Sequence, residues 1–292
     1  MTRPDLDLAA ELRDIDRRIG GIVMRIFFSG IMATLVLMTA SPVLAQSTVD
    51  PSLYLTFKNP SEELRNPVED FQIRCGAKYP PCNFSIKDSL FGRAEVFFAN
   101  LSANKWNWLE ILDHPDLSPF DNMTLSAWIF PSNHGCSPQG LILAPGGHKI
   151  VGKTNARFNG GYVLGISTNQ TNNNYSLFAE VWDSKGKLHR LVGGQIPFGR
   201  WTHVAVSWRS GGAMKGYVNG ERVGLIKASQ RPIGRNKEKL RIGIAPWDTS
   251  ALAFGGGIDE IRLYHSQLKD HEMKMLYERT FASTHEKLVV PC

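Results

Sequence analysis

Short runs of alternating apolar and polar residues recur along most of the chain: SLYLTF, AEVFF, LSAWIF, GGYVLGI, YSLFAEVW, HRLVGG, WTHVAVSW, KGYVNG, LRIGIA and GIDEIRLY. Gly, Asn and Pro separate them, and many short strands with turn residues between them predict an all-β sandwich or barrel. Within WTHVAVSW, Trp201, His203, Ala205 and Ser207 fall on one face. Thr202, Val204, Val206 and Trp208 fall on the other, which is more apolar and is expected to face the core. Asn219-Gly220 predicts a two-residue hairpin turn, because a type I′ turn needs positive φ at both central positions. One helix is expected, in SQLKDHEMKMLYE, where Leu268, Met273 and Leu276 form an apolar stripe and Asp270 can cap the first turn.

The start of the chain has a different pattern. No charged residue occurs from Ile26 to Ala45, Arg25 precedes the run, and Val43 and Ala45 hold the small-residue positions of a cleavage site. Residues 1–45 are therefore expected to be an N-terminal extension and a signal peptide starting at Met24, with 46–292 as a single domain. An uncleaved membrane anchor is the alternative, since about 20 apolar residues span a bilayer. Cleavage implies a secreted, periplasmic or extracellular protein, and membrane contact is expected only if the segment is kept.

Of the 292 residues, 33 are Lys or Arg and 27 are Asp or Glu, a formal charge of +6. This modest excess favours anionic partners such as acidic polysaccharide, or serves solubility. The basic residues are scattered apart from RPIGRNKEKLR, so nucleic acid is not expected as a partner. Four cysteines, Cys75, Cys82, Cys136 and Cys292, suit an oxidising compartment and permit three pairings. The prolines of GAKYPP favour Cys75 with Cys82, leaving Cys136 for Cys292. Asn83, Asn100, Asn122, Asn169 and Asn174 stand in glycosylation sequons, which act only in a host that modifies exported chains.

FGRAEVFF, WLEILDHPDLSPFDNMTLSAWIFPS, KIVGKTNARFNGGYVLGI, WTHVAVSWRSGGAMKGYVNGERVG, LRIGIA and GGGIDEIRLYHSQLKDHEMKMLYE follow one another in a recognisable order. With them the chain resembles the laminin-G-like jelly-roll domains of the concanavalin A-like lectin and glucanase superfamily, from about Leu53 to Tyr277. The resemblance implies a two-sheet antiparallel jelly-roll β-sandwich with a short C-terminal helix. It also raises calcium, the one cofactor considered, with Asp259 of GIDE as the matching acid. Lys58 stands where relatives carry an acidic residue, and one Asp is short of what a hard cation takes.

Glycan-cleaving relatives carry an E-x-D-x-x-E strand that sets its carboxylates on one face. The nearest counterpart, FAEVWD, holds Glu180 and Asp183, which point to opposite faces of a regular strand. Catalysis is not expected, and His203 reads as a packed strand histidine in a W-x-H-V-A segment that non-catalytic relatives share. Recognition is expected instead, because a sugar needs an aromatic face with polar groups beside it. Trp247 with Asp248, Trp182 with Asp183, and Trp106, which shares a face with Trp108 if its strand is regular, are the candidates. A tryptophan anchoring a loop is the plainer reading of each. The sequence thus predicts a secreted non-catalytic module that binds a glycan or a cell-surface or extracellular protein. A polysaccharide hydrolase or lyase with another site, and a structural or adhesion component of the envelope, are the alternatives.

Overall fold

The computed structural model describes residues 50–56, 73–78, 85–89, 92–97, 99–100, 105–131, 148–169, 174–247 and 253–282. Side chains are described at 50–56, 108–131, 148–167, 175–247 and 253–280. All lie in the unit spanning Val49–Cys292. The signal-peptide segment, Cys82, Cys136, Cys292 and Asp248 fall outside the described residues, and so do the proposed disulfides. Cys75 is placed by its backbone, opposite Leu109.

The strands, in chain order, begin with β1 (Leu53–Leu55), β2 (Ile73–Lys78), β3 (Ser85–Ser89), β4 (Gly92–Phe97), β5 (Ala99–Asn100) and β6 (Lys105–Ile111). After a 3-10 turn at Pro115–Leu117 come β7 (Asn122–Pro131), β8 (His148–Thr154), β9 (Gly161–Asn169), β10 (Asn174–Trp182) and β11 (Leu188–Ile196). Then follow β12 (Thr202–Arg209), β13 (Ala213–Val218), β14 (Glu221–Lys227), β15 (Leu240–Ile242), β16 (Gly256–Tyr264) and the helix α1 (Asp270–Ala282). One antiparallel sheet runs β14-β13-β12-β7-β16-β4-β3 with β1 also on β16; the other runs β11-β10-β9-β8-β15-β6-β2 with β5 also on β6. The fold is the expected two-sheet jelly-roll sandwich with one short C-terminal helix.

The core between the sheets follows from period-two alternation. Leu177, Ala179 and Val181 of β10 face Val204, Val206 and Trp208 of β12 across one apolar cluster, with Leu125, Ile129, Ile258 and Leu263. Glycines let the sheets close where their edges meet: a Cβ on Gly216 would come within 2.6 Å of Leu191.

The other face of β12 is buried as well, because α1 covers it. Ala205 packs with Tyr217, Tyr264, Leu268 and Met273, while Trp128 stacks on Tyr277 at 5.6 Å and its indole donates to the Thr280 hydroxyl at 3.1 Å. The Asn219-Gly220 turn has the expected left-handed pair, φ 50° and 78°. It also seats the helix, since a Cβ on Gly220 would lie 3.0 Å from the Tyr277 Cβ.

Capping differs from the expectation. Asp270 lies inside the helix, and its carboxylate accepts from Lys215 Nζ and the Tyr217 hydroxyl, both at 2.8 Å, and from Arg222 at 2.6 Å. The Glu272 carboxylate instead reaches back to the Lys269 N–H at 2.7 Å, the reciprocal half of a capping box. Asp270 is drawn off because three sheet donors converge on it.

Candidate functional site

The alternation that sends Leu177, Ala179 and Val181 into the core sends Phe178, Glu180 and Trp182 to the outer face of the second sheet. Phe178 lies opposite Gly165 of β9, where a Cβ would come within 2.9 Å of the ring. The Lys149 ammonium sits 3.9 Å from the Phe178 ring centroid and 5.6 Å from that of Trp247. Burial pulls the Lys149 pKa down to about 8, against the opposing pull of Glu180. Glu180 is buried and accepts from Arg190 Nε at 2.8 Å on the neighbouring strand.

Trp182 is 4% exposed. The expectation of an open indole face at this position is not met, because Phe158 stacks on it, centroids 5.4 Å apart and planes 21° from parallel. The half-buried Trp247 packs edge-on against the same Phe158 at 5.0 Å and 74°. Two tryptophans 65 positions apart in the chain, from separate candidate pairs, therefore share one cluster with Val163 and Phe178.

Phe158 was not singled out in the sequence. Its φ is 52°, a conformation that a bulky side chain rarely takes. The turn Asn155–Gly160 holds it there. The Asn155 side chain accepts the Arg157 N–H at 3.1 Å and donates to the Asn159 side chain at 2.9 Å. The Asn155 carbonyl accepts the Phe158 N–H at 3.1 Å. The available signal was NARFNG, whose paired asparagines are turn formers.

Asp183 organises the next loop. One carboxylate oxygen accepts the N–H groups of Lys185 at 2.9 Å and Lys187 at 3.0 Å; the other accepts the Ser229 hydroxyl at 2.8 Å and lies 3.6 Å from His189. Burial alone would raise the Asp183 pKa, but these donors hold it below the usual carboxylate range. With every oxygen engaged, Asp183 fixes a turn and is not presented to solvent, where it is 1% exposed. Backbone bonds from Ser184 N–H to Pro232 and from Gly234 N–H to Trp182 tie this loop to 229–236. Asn236 then donates to the Gly160 carbonyl at 3.2 Å, which closes the three loops into one rim.

The remaining candidates lie elsewhere. Trp106 is placed by its backbone in β6, whose ladder with β2 is regular from Trp106 to Ile111, the condition set for it to share a face with Trp108. Asp259 is fully buried in β16 and accepts the Glu260 N–H at 2.8 Å. Glu260 takes φ 52° at a break in register, accepts from the Tyr54 hydroxyl at 2.7 Å and pairs with Arg262. Among the described residues no three His, Cys, Asp or Glu side chains come together for a metal ion. A hard cation takes six to eight oxygens, and this donor set does not fit one.

His203 is fully buried between Trp128 at 5.5 Å and Tyr277 at 6.2 Å, beneath the helix. Burial, with the Arg262 charge adding to it, pulls its pKa down to about 3. It is a neutral packing residue with no route to a substrate. Neither Glu180, locked to Arg190, nor Asp183, locked to its turn, stands as a free acid or base.

A laminin-G family model described as the concanavalin A-like lectin/glucanases superfamily matches residues 105–274. No curated protein matches the chain. Among solved structures it is similar to domain 4 of AbnA, an extracellular arabinanase from Geobacillus stearothermophilus, in complex with arabinotriose. That match has a TM-score of 0.54 and 19% identity, covering 78% of this chain and 98% of that one. The binding domain of Paraclostridial Mosquitocidal Protein 1 matches at TM-score 0.57 and 14% identity, covering 79% of this chain and 52% of the other. The botulinum neurotoxin serotype G binding domain matches at 0.53 and 12%, covering 78% and 50%. The chain spans about half the length of these two toxin domains. At such identities the likeness is one of fold, and it agrees with the family match, which spans more than half of the residues. The chain belongs to the concanavalin A-like lectin/glucanases superfamily as a laminin-G-like jelly roll.

Proposed function

We propose that the chain is an exported, non-catalytic recognition module that meets a glycan or a surface partner with the loop rim around Phe158, Trp182 and Trp247. The observation that carries this reading is the strained turn at Phe158, whose ring bridges Trp182 and Trp247 at one end of the second sheet. Strain of this kind persists only where surrounding structure holds it, and it clusters at binding sites. Trp247 is half-buried, and the face of its indole left free of Phe158 is offered to the apolar side of a sugar. Asp248 beside it in sequence supplies the polar partner, and Trp106 marks a second position on the same sheet. The arabinotriose complex of the arabinanase domain and the binding-domain role of the toxin segments support a recognition role. Export rests on the Ile26–Ala45 pattern. Among the described residues no helix is long and apolar enough to cross a membrane.

A glycan array probed with the wild-type chain and Trp247→Ala tests this reading. The expected result is a defined set of bound glycans whose retention falls at least about tenfold in the variant, in keeping with one lost aromatic platform. Binding that is indifferent to Trp247, Asp248 and Trp106 would overturn it.

A further inference from the structure

We propose that the partner is an acidic glycan, carrying sulfate or uronate groups, and that it lies along a cationic rim made by the loops 155–160, 183–187 and 229–238. The inference rests on the recognition reading above and names the chemistry of that site's ligand.

Arg157 comes from the first loop, Lys185 and Lys187 from the second, and Arg231, Arg235 and Lys237 from the third; all six are exposed. Among the described residues none of the six forms an ion pair, whereas Lys153, Arg190, Lys239 and Arg241 close by are each tied to a carboxylate. The loops are held in register by close backbone contact. A Cβ on Gly160 would fall 2.5 Å from Gly234, and one on Gly186 would meet Asn159 at 3.5 Å. Among the described residues, the exposed acids on or beside the rim are Glu238, Asp121 and Asp113; Asp113 is paired with Lys153, and Asp183 is buried under its own hydrogen bonds.

Like charges gathered on a rigid rim repel one another, so an anion bound there relieves a standing electrostatic cost. Arginine adds planar, two-pronged donors that fit sulfate and carboxylate oxygens. Arg235 lies 4.9 Å from the ring of Phe120, which is 44% exposed, and Arg157 immediately precedes Phe158. Charge thus stands beside the exposed Phe120 ring and next in sequence to the half-buried Phe158, which suits a polymer offering both anionic groups and apolar sugar faces. A duplex or a flat lipid surface uses the charge alone.

Titration of the full chain with a highly sulfated glycosaminoglycan, polygalacturonate and neutral arabinan tests this. The expected result is binding of an acidic polymer that weakens at least about tenfold between low and physiological salt, as exposed pairs are screened. Arg157→Glu with Arg235→Glu is expected to abolish it while leaving the melting temperature unchanged, since both side chains are exposed. Salt-insensitive binding of the neutral polymer that depends on Trp247 would overturn the acidic-glycan inference and leave the recognition reading standing. Duplex DNA or anionic vesicles binding as tightly as the glycan through the same arginines would overturn the ligand class. Absence of binding to every glycan would overturn the acidic-glycan inference, and the recognition reading would then stand only on a surface protein bound through Trp247.

Discussion

The Phe158 ring lies 5.4 Å from that of Trp182 and nearly parallel to it, and Phe158 reaches that position through a backbone φ of 52°. A contact and a strain are therefore lodged in one residue, and substitution can separate them. Phe158→Ala removes the ring but keeps a Cβ in the left-handed region, while Phe158→Gly removes both. The usual order of glycine and alanine should invert, with Phe158→Gly the more stable of the two by about 1 kcal/mol. Urea denaturation of both variants checks this, and alanine proving the more stable would show that the turn relaxes freely.

The rim depends on a close approach of two backbones. Gly160→Ala would set a methyl 2.5 Å from Gly234, where main chain and not a flexible side chain stands in the way. We expect a loss of at least about 2 kcal/mol, typical of overpacking, with a shift in tryptophan emission as Trp182 and Trp247 are displaced. Thermal unfolding and fluorescence measure it, and a silent substitution would refute the tight junction.

His203 makes stability depend on pH. Its pKa falls from 6.5 to about 3 on folding, so below pH 6.5 the unfolded chain takes up a proton that the folded chain refuses. Stability is full above pH 6.5 and declines as pH falls through this window. For one such histidine the decline is about 2 kcal/mol between pH 7 and pH 5. His148 is shifted the same way, mainly by burial, and adds to the effect. Denaturation of wild type and His203→Gln at both pH values checks the sign, and the variant should lose less stability on acidification.

Asp270 fastens the helix to the first sheet. Lys215 most of all, with Tyr217 and Arg222, holds its pKa below the ordinary carboxylate range against the opposing effect of burial. Its contribution is present above its ordinary pKa of 3.8 and vanishes as pH falls through the lower folded value. Asp270→Ala should cost about 1 kcal/mol, since the carboxylate is half exposed and the pairs are screened. Amide exchange within 270–282 should quicken while β7 and β12 stay protected. Uniform acceleration across the domain would show that the helix has no separate opening.

The alternation of β10 and β12 and the Asn219-Gly220 turn were legible because each depends on neighbours within a few residues. The family resemblance added the order of the strands. Other strands escaped the pattern for local reasons. In β8, HKIVGKT, a register shift between Lys149 and Val151 puts both Ile150 and Val151 in the core, so no alternation shows. In β14, an edge strand, most positions are exposed or half-buried.

The site was legible only in pieces. Trp182 and Trp247 were found as aromatics beside turns, but the residue that joins them carries no glycine to announce its positive φ. The burial of Trp182 arises from a partner in the β8–β9 loop, with the whole of β9 between them in the chain, which no periodicity encodes. Asp270 was read as a cap because local position favours that use. Its actual donors come from residues 215, 217 and 222, and only the assembled sheet brings them near.

The seat of the helix also depends on the hairpin. Gly220 accepts Tyr277 only once the turn has its left-handed pair, and Asp270 finds Lys215, Tyr217 and Arg222 only once β13 and β14 are in register. The helix thus meets its full partner surface only where the hairpin stands beside β7, β12 and β16, so the hairpin completes a seat that Trp128, Ala205 and Tyr264 begin. Were β14 to slip by one residue against β13, Arg222 would turn to the opposite face and Asp270 would lose one of its three donors, so the hairpin register is written into the grip on the helix.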